Sequence, residues 1–173
     1  SKYSTLNMDL NEMESKIDID VKGVMIVHIL GNCCDMTRFM DIVKKHDLIV
    51  IEDTCESLGT SYKDKYLGTI GDVGTYSFYY SHHITTEEGG MVVCNDKKDY
   101  EILKCLRSHG WTRELENKDE IESQNKEINP QFLFVNLGYN LRPMEIQAAM
   151  GKIQLDKLGD KNSRRKINYE NLT

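Results

Sequence analysis

The chain has 173 residues, with 28 acidic against 22 basic side chains and a formal net charge of −6. That length fits one domain with a sizeable core, and the acidic balance argues against a sequence-independent grip on nucleic acid. No apolar run approaches membrane-spanning length and the amino terminus shows no signal-peptide pattern, so no membrane partner is expected.

Asp9 is placed to cap a helix whose apolar face is Leu10, Met13 and Ile17. Residues 21–30 form a nearly continuous apolar run, the pattern of a strand buried on both faces of a parallel sheet. Gly31-Asn32 breaks it. Cys33-Cys34 follow, two of five cysteines whose irregular spacing gives no disulfide framework and fits a reduced, cytoplasmic setting. Asp35 can cap a second helix through Met36, Phe39, Met40 and Val43, which ends in the basic Lys44-Lys45-His46. Residues 48–52 are the next buried strand, so strand, helix and strand make a βαβ unit and the class is α/β.

Asp53 and Glu56 come at the carboxyl end of that strand, where open α/β sheets place their ligands. Residues 61–66 read as a small hairpin, with Gly68 and Gly71 in turns. Residues 74–79 are rich in aromatic and β-branched side chains and predict a strand. A polar loop with two adjacent histidines, His82 and His83, follows it, and Gly89-Gly90 leads into the apolar Met91-Val92-Val93-Cys94. On composition the first reading is a hydrophilic connection. A functional loop is the second, since titratable groups are concentrated between rigid strands.

Asp96 is placed to cap a helix bearing Tyr100, Ile102, Leu103 and Leu106. Residues 108–131 are polar and predict no element, which suggests a mobile surface excursion of the kind that forms lids. Residues 132–135 are a short apolar run. Pro143 suits the first turn of a helix with Ile146, Ala149, Met150 and Ile153 at its apolar positions. Arg164-Arg165-Lys166 reads as a solvated helix face.

Taken singly, the candidate site residues have ordinary explanations: Asp53 a cap or turn residue, Ser77 a strand hydroxyl with a local backbone partner, Asn140 a turn residue. Together they lie on ordered motifs. Ile51-Glu52-Asp53-Thr54-Cys55-Glu56-Ser57-Leu58-Gly59, the stretch from Ser77 to Thr85, Leu106-Arg107-Ser108-His109-Gly110 and Leu137-Gly138-Tyr139-Asn140-Leu141-Arg142 resemble the DegT/DnrJ/EryC1/StrS sugar aminotransferase family. The resemblance runs from Asp9 to Arg165. It implies fold type I of the pyridoxal phosphate-dependent transferases, with a central, mostly parallel sheet in the large domain. Residues 1–173 would be a partial cofactor-binding large domain, with the family's amino-terminal phosphate loop and carboxyl-terminal small domain as further parts.

The resemblance also implies roles. Asp53 would pair with the pyridine nitrogen, Glu56 approach the ring hydroxyl and Ser77 bind the cofactor phosphate. Asn140 would reach the phosphate of the neighbouring subunit's cofactor, making the enzyme a homodimer. His82 stands where the family's lysine belongs. Imidazole cannot form the lysine's covalent bond to the cofactor, yet it is a competent acid–base group near neutral pH. One branch of the family carries histidine there, the 3-dehydratases of nucleotide-linked 4-keto-6-deoxyhexoses in deoxysugar and lipopolysaccharide biosynthesis. The function implied is dehydration at carbon 3 with pyridoxal or pyridoxamine phosphate as cofactor and His82 as base. Cys55 matches the first cluster cysteine of an iron–sulfur variant, but Thr112-Arg113-Glu114-Leu115 brings no further cysteine. Glutamate is therefore the expected amino donor, and no metal is expected. The alternatives are a sugar aminotransferase, a non-catalytic family member acting as a binding module, and, last, a metal hydrolase using His28, His82 and His83.

Overall fold

A computed structural model describes residues 5–172. The chain divides into two compact units, one running to Val93 and resuming at Glu145, the other Cys94–Met144. Each is described by itself.

The first unit opens with α1 (Leu10–Ser15), where Asp9 accepts the Asn11 and Glu12 N–H groups as predicted. Then come β1 (Gly23–Val27), α2 (Met36–Lys45) and β2 (Ile49–Asp53). Asp35 caps α2 by accepting the Thr37 and Arg38 N–H groups, and Lys44 and Lys45 occupy its last turn. β1 and β2 are parallel, with Val27 opposite Asp53. β5 (Val73–Ser77) lies parallel on the far side of β2, with Thr75 opposite Asp53, and β6 (Gly90–Cys94) completes the order β1-β2-β5-β6. The α/β class and the parallel core of the sheet are as the sequence implies.

Ile26 and Val50 from the sheet meet Met36, Phe39, Ile42 and Val43 of α2 and Leu10 of α1 in one buried cluster. Burying each large side chain contributes roughly 1.5–3 kcal/mol. The sequence predicted burial on both faces, and the described residues cover one. Alternate strand residues face opposite ways, and Met25, Val27, Ile49 and Ile51 on the other side remain at least 36% exposed. β1 is also shorter than the apolar run that predicted it. Leu30 and Gly31 take positive φ values of 53° and 80°, which curls residues 29–31 into a 3-10 turn.

β3 (Ser61–Tyr62) and β4 (Lys65–Tyr66) form the expected antiparallel hairpin. Lys63 and Asp64 both have positive φ, as a two-residue hairpin turn demands. Two glycines fix the approach to β5. Gly68 has a φ of +89°, and a Cβ on Gly74 would collide with the Gly68 carbonyl. α5 (Glu145–Leu155) and α6 (Leu158–Leu172) close the unit. Pro143 lies ahead of α5 instead of in its first turn, and the predicted apolar positions Ile146 and Ile153 are exposed.

The second unit begins with α3 (Lys97–Arg107), capped by Asp96. The stretch expected to lack structure holds α4 (Lys118–Gln124) and the start of a 3-10 turn, Pro130–Phe132. No residue of α4 is buried, so it leaves no hydrophobic period in the sequence. Residues 132–135 form no strand; they make a single bridge, Trp111 with Phe134. Among the described residues, no helix is long and apolar enough to cross a membrane.

Candidate functional site

Asp53 is the last residue of β2, and Thr75 of β5 lies beside it. Ser77, two residues further, ends β5. The carboxyl edge of the parallel strands therefore carries a carboxylate on β2 and, two residues further along, a hydroxyl on β5, at the place where open sheets bind ligands. Asp53 Oδ1 accepts the Cys55 N–H at 3.0 Å, which turns the chain back at the strand end. Burial and the neighbouring Asp53 carboxylate push the Cys55 thiol up to about 11. Ser77 Oγ accepts the Tyr79 N–H at 3.2 Å, so its own O–H is available as a donor.

Glu56 Oε2 accepts the Leu30 N–H at 3.1 Å, and the Ser57 hydroxyl donates to the His28 carbonyl at 2.5 Å. These two contacts fasten the segment after β2 to the turn after β1. Glu56 thus already carries a structural bond, a role the sequence did not disclose.

The histidine loop rises from the end of β5. Its base is closed by Thr86 N–H to Phe78 O and Phe78 N–H to Gly89 O, each 2.9 Å, and within it His82 N–H donates to Tyr79 O at 3.0 Å. The His82 ring stands edge-on to Tyr79, with centroids 5.8 Å apart. His82 Nδ1 is buried and has no hydrogen-bond partner. Buried polar atoms are almost always satisfied, so an orphan beside a ligand edge suits a group that arrives with the ligand. Burial, then the positive charge of Arg165, hold the His83 imidazole below the usual histidine range; His82 adds to this, and Glu56 opposes it.

Asp53, Glu56, Ser77 and His82 are thus brought to one edge of one unit. Asn140 belongs to the other unit, where it is exposed, bridges Ser108 and accepts the Arg142 Nε–H at 3.4 Å. His28 is not available to His82 and His83 as a metal ligand, because its ring is buried against Glu52 at 3.0 Å. Among the described residues no cluster of three such side chains could hold a metal.

The sequence reading missed two supports of this edge. One is the buried His28–Glu52 pair directly behind Asp53, signalled only by two polar residues inside apolar runs. The other is a set of amides on α5 and α6. Gln154 bonds both main-chain groups of Thr85, and Asn162 donates to the Leu58 carbonyl at 3.0 Å.

Several known proteins are similar to this chain. A GDP-4-keto-6-deoxy-D-mannose 3-dehydratase from Yersinia pseudotuberculosis is 44% identical over 157 residues, 89% of this chain and 40% of its own length. A GDP-perosamine synthase from Escherichia coli O157:H7 is 39% identical over 166 residues, 96% of this chain and 42% of its own. The solved structure of the E. coli GDP-4-keto-6-deoxy-D-mannose-3-dehydratase with bound hydrated PLP has a TM-score of 0.85 at 40% identity, covering 96% of this chain and 43% of that one. The chain thus spans less than half the length of these relatives. A family model matches residues 1–173 from end to end, and the chain belongs to the DegT/DnrJ/EryC1/StrS aminotransferase family.

Proposed function

We propose that residues 1–173 contribute to the cofactor-binding large domain of a 3-dehydratase acting on a GDP-linked 4-keto-6-deoxyhexose. The single observation that carries this reading is His82, an unpartnered imidazole on the loop after β5, where the family's aminotransferases use lysine. Dehydratase relatives at 40–44% identity support the substrate class.

The edge suits pyridoxal or pyridoxamine phosphate. Asp53 would hold the ring nitrogen protonated, the Ser77 hydroxyl would donate to the phosphate, and Glu56 would lie near the ring hydroxyl. When bound, the cofactor supplies an electron sink that lets a neighbouring C–H proton leave and the hydroxyl at carbon 3 depart. The His82 imidazole takes up that proton and returns it to the departing hydroxyl, which leaves as water. Tyr79 packs against the imidazole and limits its swing. Residues 112–115 bring no cysteine to join Cys55 in a cluster ligand set, so glutamate is the amino donor in this reading. Asn140 reaches the phosphate of a neighbouring subunit, which requires a two-fold dimer.

The GDP-perosamine synthase relative keeps an aminotransferase reading in contention. One experiment separates the two. The full-length protein, given GDP-4-keto-6-deoxy-D-mannose, pyridoxal phosphate and L-glutamate, is expected to yield a sugar lacking the oxygen at carbon 3. Borohydride treatment of its cofactor complex is expected to leave no cofactor adduct on any lysine. A product aminated at carbon 4, with a reduced lysine adduct, would overturn the dehydratase assignment.

A further inference from the structure

We infer that Gln154 is a positioning residue for the histidine loop, acting on His82 through the main chain of Thr85. Its catalytic consequence rests on the dehydratase reading above; its placement rests on hydrogen bonds alone. Gln154 Oε1 accepts the Thr85 N–H at 3.1 Å, and Gln154 Nε2 donates to the Thr85 carbonyl at 2.6 Å. A primary amide carries one donor and one acceptor side by side, and so pairs with both main-chain groups of one residue as a neighbouring strand would. Carboxylate would lose the donor, and an aliphatic side chain would lose both.

The clamp has a second point. Gln147 lies two helical turns earlier on the same face of α5, and its Nε2 donates to the Glu88 carbonyl at 2.7 Å. One rigid helix therefore grips the loop at both 85 and 88. Between these points Glu87 has a φ of +68°, and beyond them Gly89 one of +150°. Such a backbone relies on its surroundings to persist. On the other side, Ile84 is only 4% exposed and separates His83 from Thr85. The loop is thus fixed two residues after His82 by a buried aliphatic side chain and three residues after it by a two-point amide bond. His82 contributes no side-chain hydrogen bond of its own from Nδ1 to hold its ring. Its position is set through the main chain, and α5 is what the main chain is tied to.

The test uses the full-length protein carrying Gln154→Leu, which keeps the volume and removes both bonds, and Gln154→Glu, which keeps the acceptor and sets a carboxylate oxygen against the Thr85 carbonyl. Hydrogen exchange of peptides covering 79–88 is expected to quicken in both variants, while peptides from β1 and β2 keep the parent rates. Turnover for dehydration is expected to fall about tenfold to a hundredfold, as for a misplaced catalytic group, with KM for the nucleotide sugar within about twofold because ground-state binding is untouched. Unchanged exchange at 79–88, unchanged turnover, or exchange that quickens equally across the whole sheet would overturn the inference. If the parent protein does not dehydrate the sugar, the dehydratase reading fails separately, and the exchange at 79–88 still upholds or overturns the clamp.

Discussion

His82→Asn in the full-length protein lowers dehydration by about 100- to 10,000-fold, the usual contribution of a positioned acid–base group, and leaves cofactor binding intact. Asparagine keeps a polar side chain of similar reach and cannot titrate. Asp53, Ser77 and Asn140 are the groups assigned to hold the cofactor, so absorbance titration with pyridoxal phosphate is expected to follow the parent curve. His82→Lys places an amine where the family's aminotransferases have one; a covalent bond to the cofactor, seen as shifted absorbance, then accompanies the loss of dehydration. The same substitutions at His83 leave far more activity. Burial and Arg165 hold that imidazole below the usual histidine range, and its neighbours are protein groups on more than one side. Should His83→Asn abolish turnover while His82→Asn does not, the base is His83. Dehydration surviving both changes would remove both histidines as the base.

What was legible in the sequence was what local chemistry determines. Asp9, Asp35 and Asp96 each cap the helix they were expected to cap, because an N-cap and the apolar period after it lie within a few residues of each other. The hairpin at 61–66 and the parallel order of β1 and β2 follow from similarly short patterns. α4 was invisible because it buries nothing. The α5 amides were invisible for the opposite reason: Gln154 meets Thr85 across 69 residues of chain, and no periodicity reports such a contact. Arg165 is exposed, as a solvated helix face should be, yet its charge acts on His83. Composition would have left Asp53, Ser77 and His82 as a cap, a strand hydroxyl and a loop residue. Their convergence depends on β5 inserting beside β2, and the family resemblance, not the spacing, pointed to it.

Glu52→Ala is expected to destabilise the fold by about 3–5 kcal/mol, the usual cost of stripping one partner from a buried charge network. Glu52 is 0% exposed. Its Oε2 takes the His28 ring at 3.0 Å and the Gly68 N–H at 2.8 Å; its Oε1 takes the Ile70 and Gly71 N–H groups at 2.7 and 2.6 Å. A carboxylate can accept about four such bonds, so the network is saturated and its loss orphans every donor at once. Burial alone would raise this carboxyl; the bonds from His28, Gly71, Gly68 and Ile70 outweigh burial and hold it below its ordinary value of 4.5. A lowered folded value means the stabilisation is fully present above pH 4.5 and is lost as pH falls through the folded value. Glu52→Gln keeps the shape and turns an amide N–H toward donors, so roughly 1–3 kcal/mol is lost, and the acid-dependent part of the stability disappears with the titrating group. Denaturant unfolding between pH 3 and 7, taken as about one unit below to a few above the ordinary carboxylate range, measures both variants against the parent. Because the His28 N–H also donates to the Asp53 carbonyl at 3.0 Å, the same pair steadies the residue assigned to the cofactor ring. A Glu52→Gln protein as stable as the parent at every pH would show that the carboxylate charge, and the bonds lost with one of its oxygens, contribute nothing net to the fold.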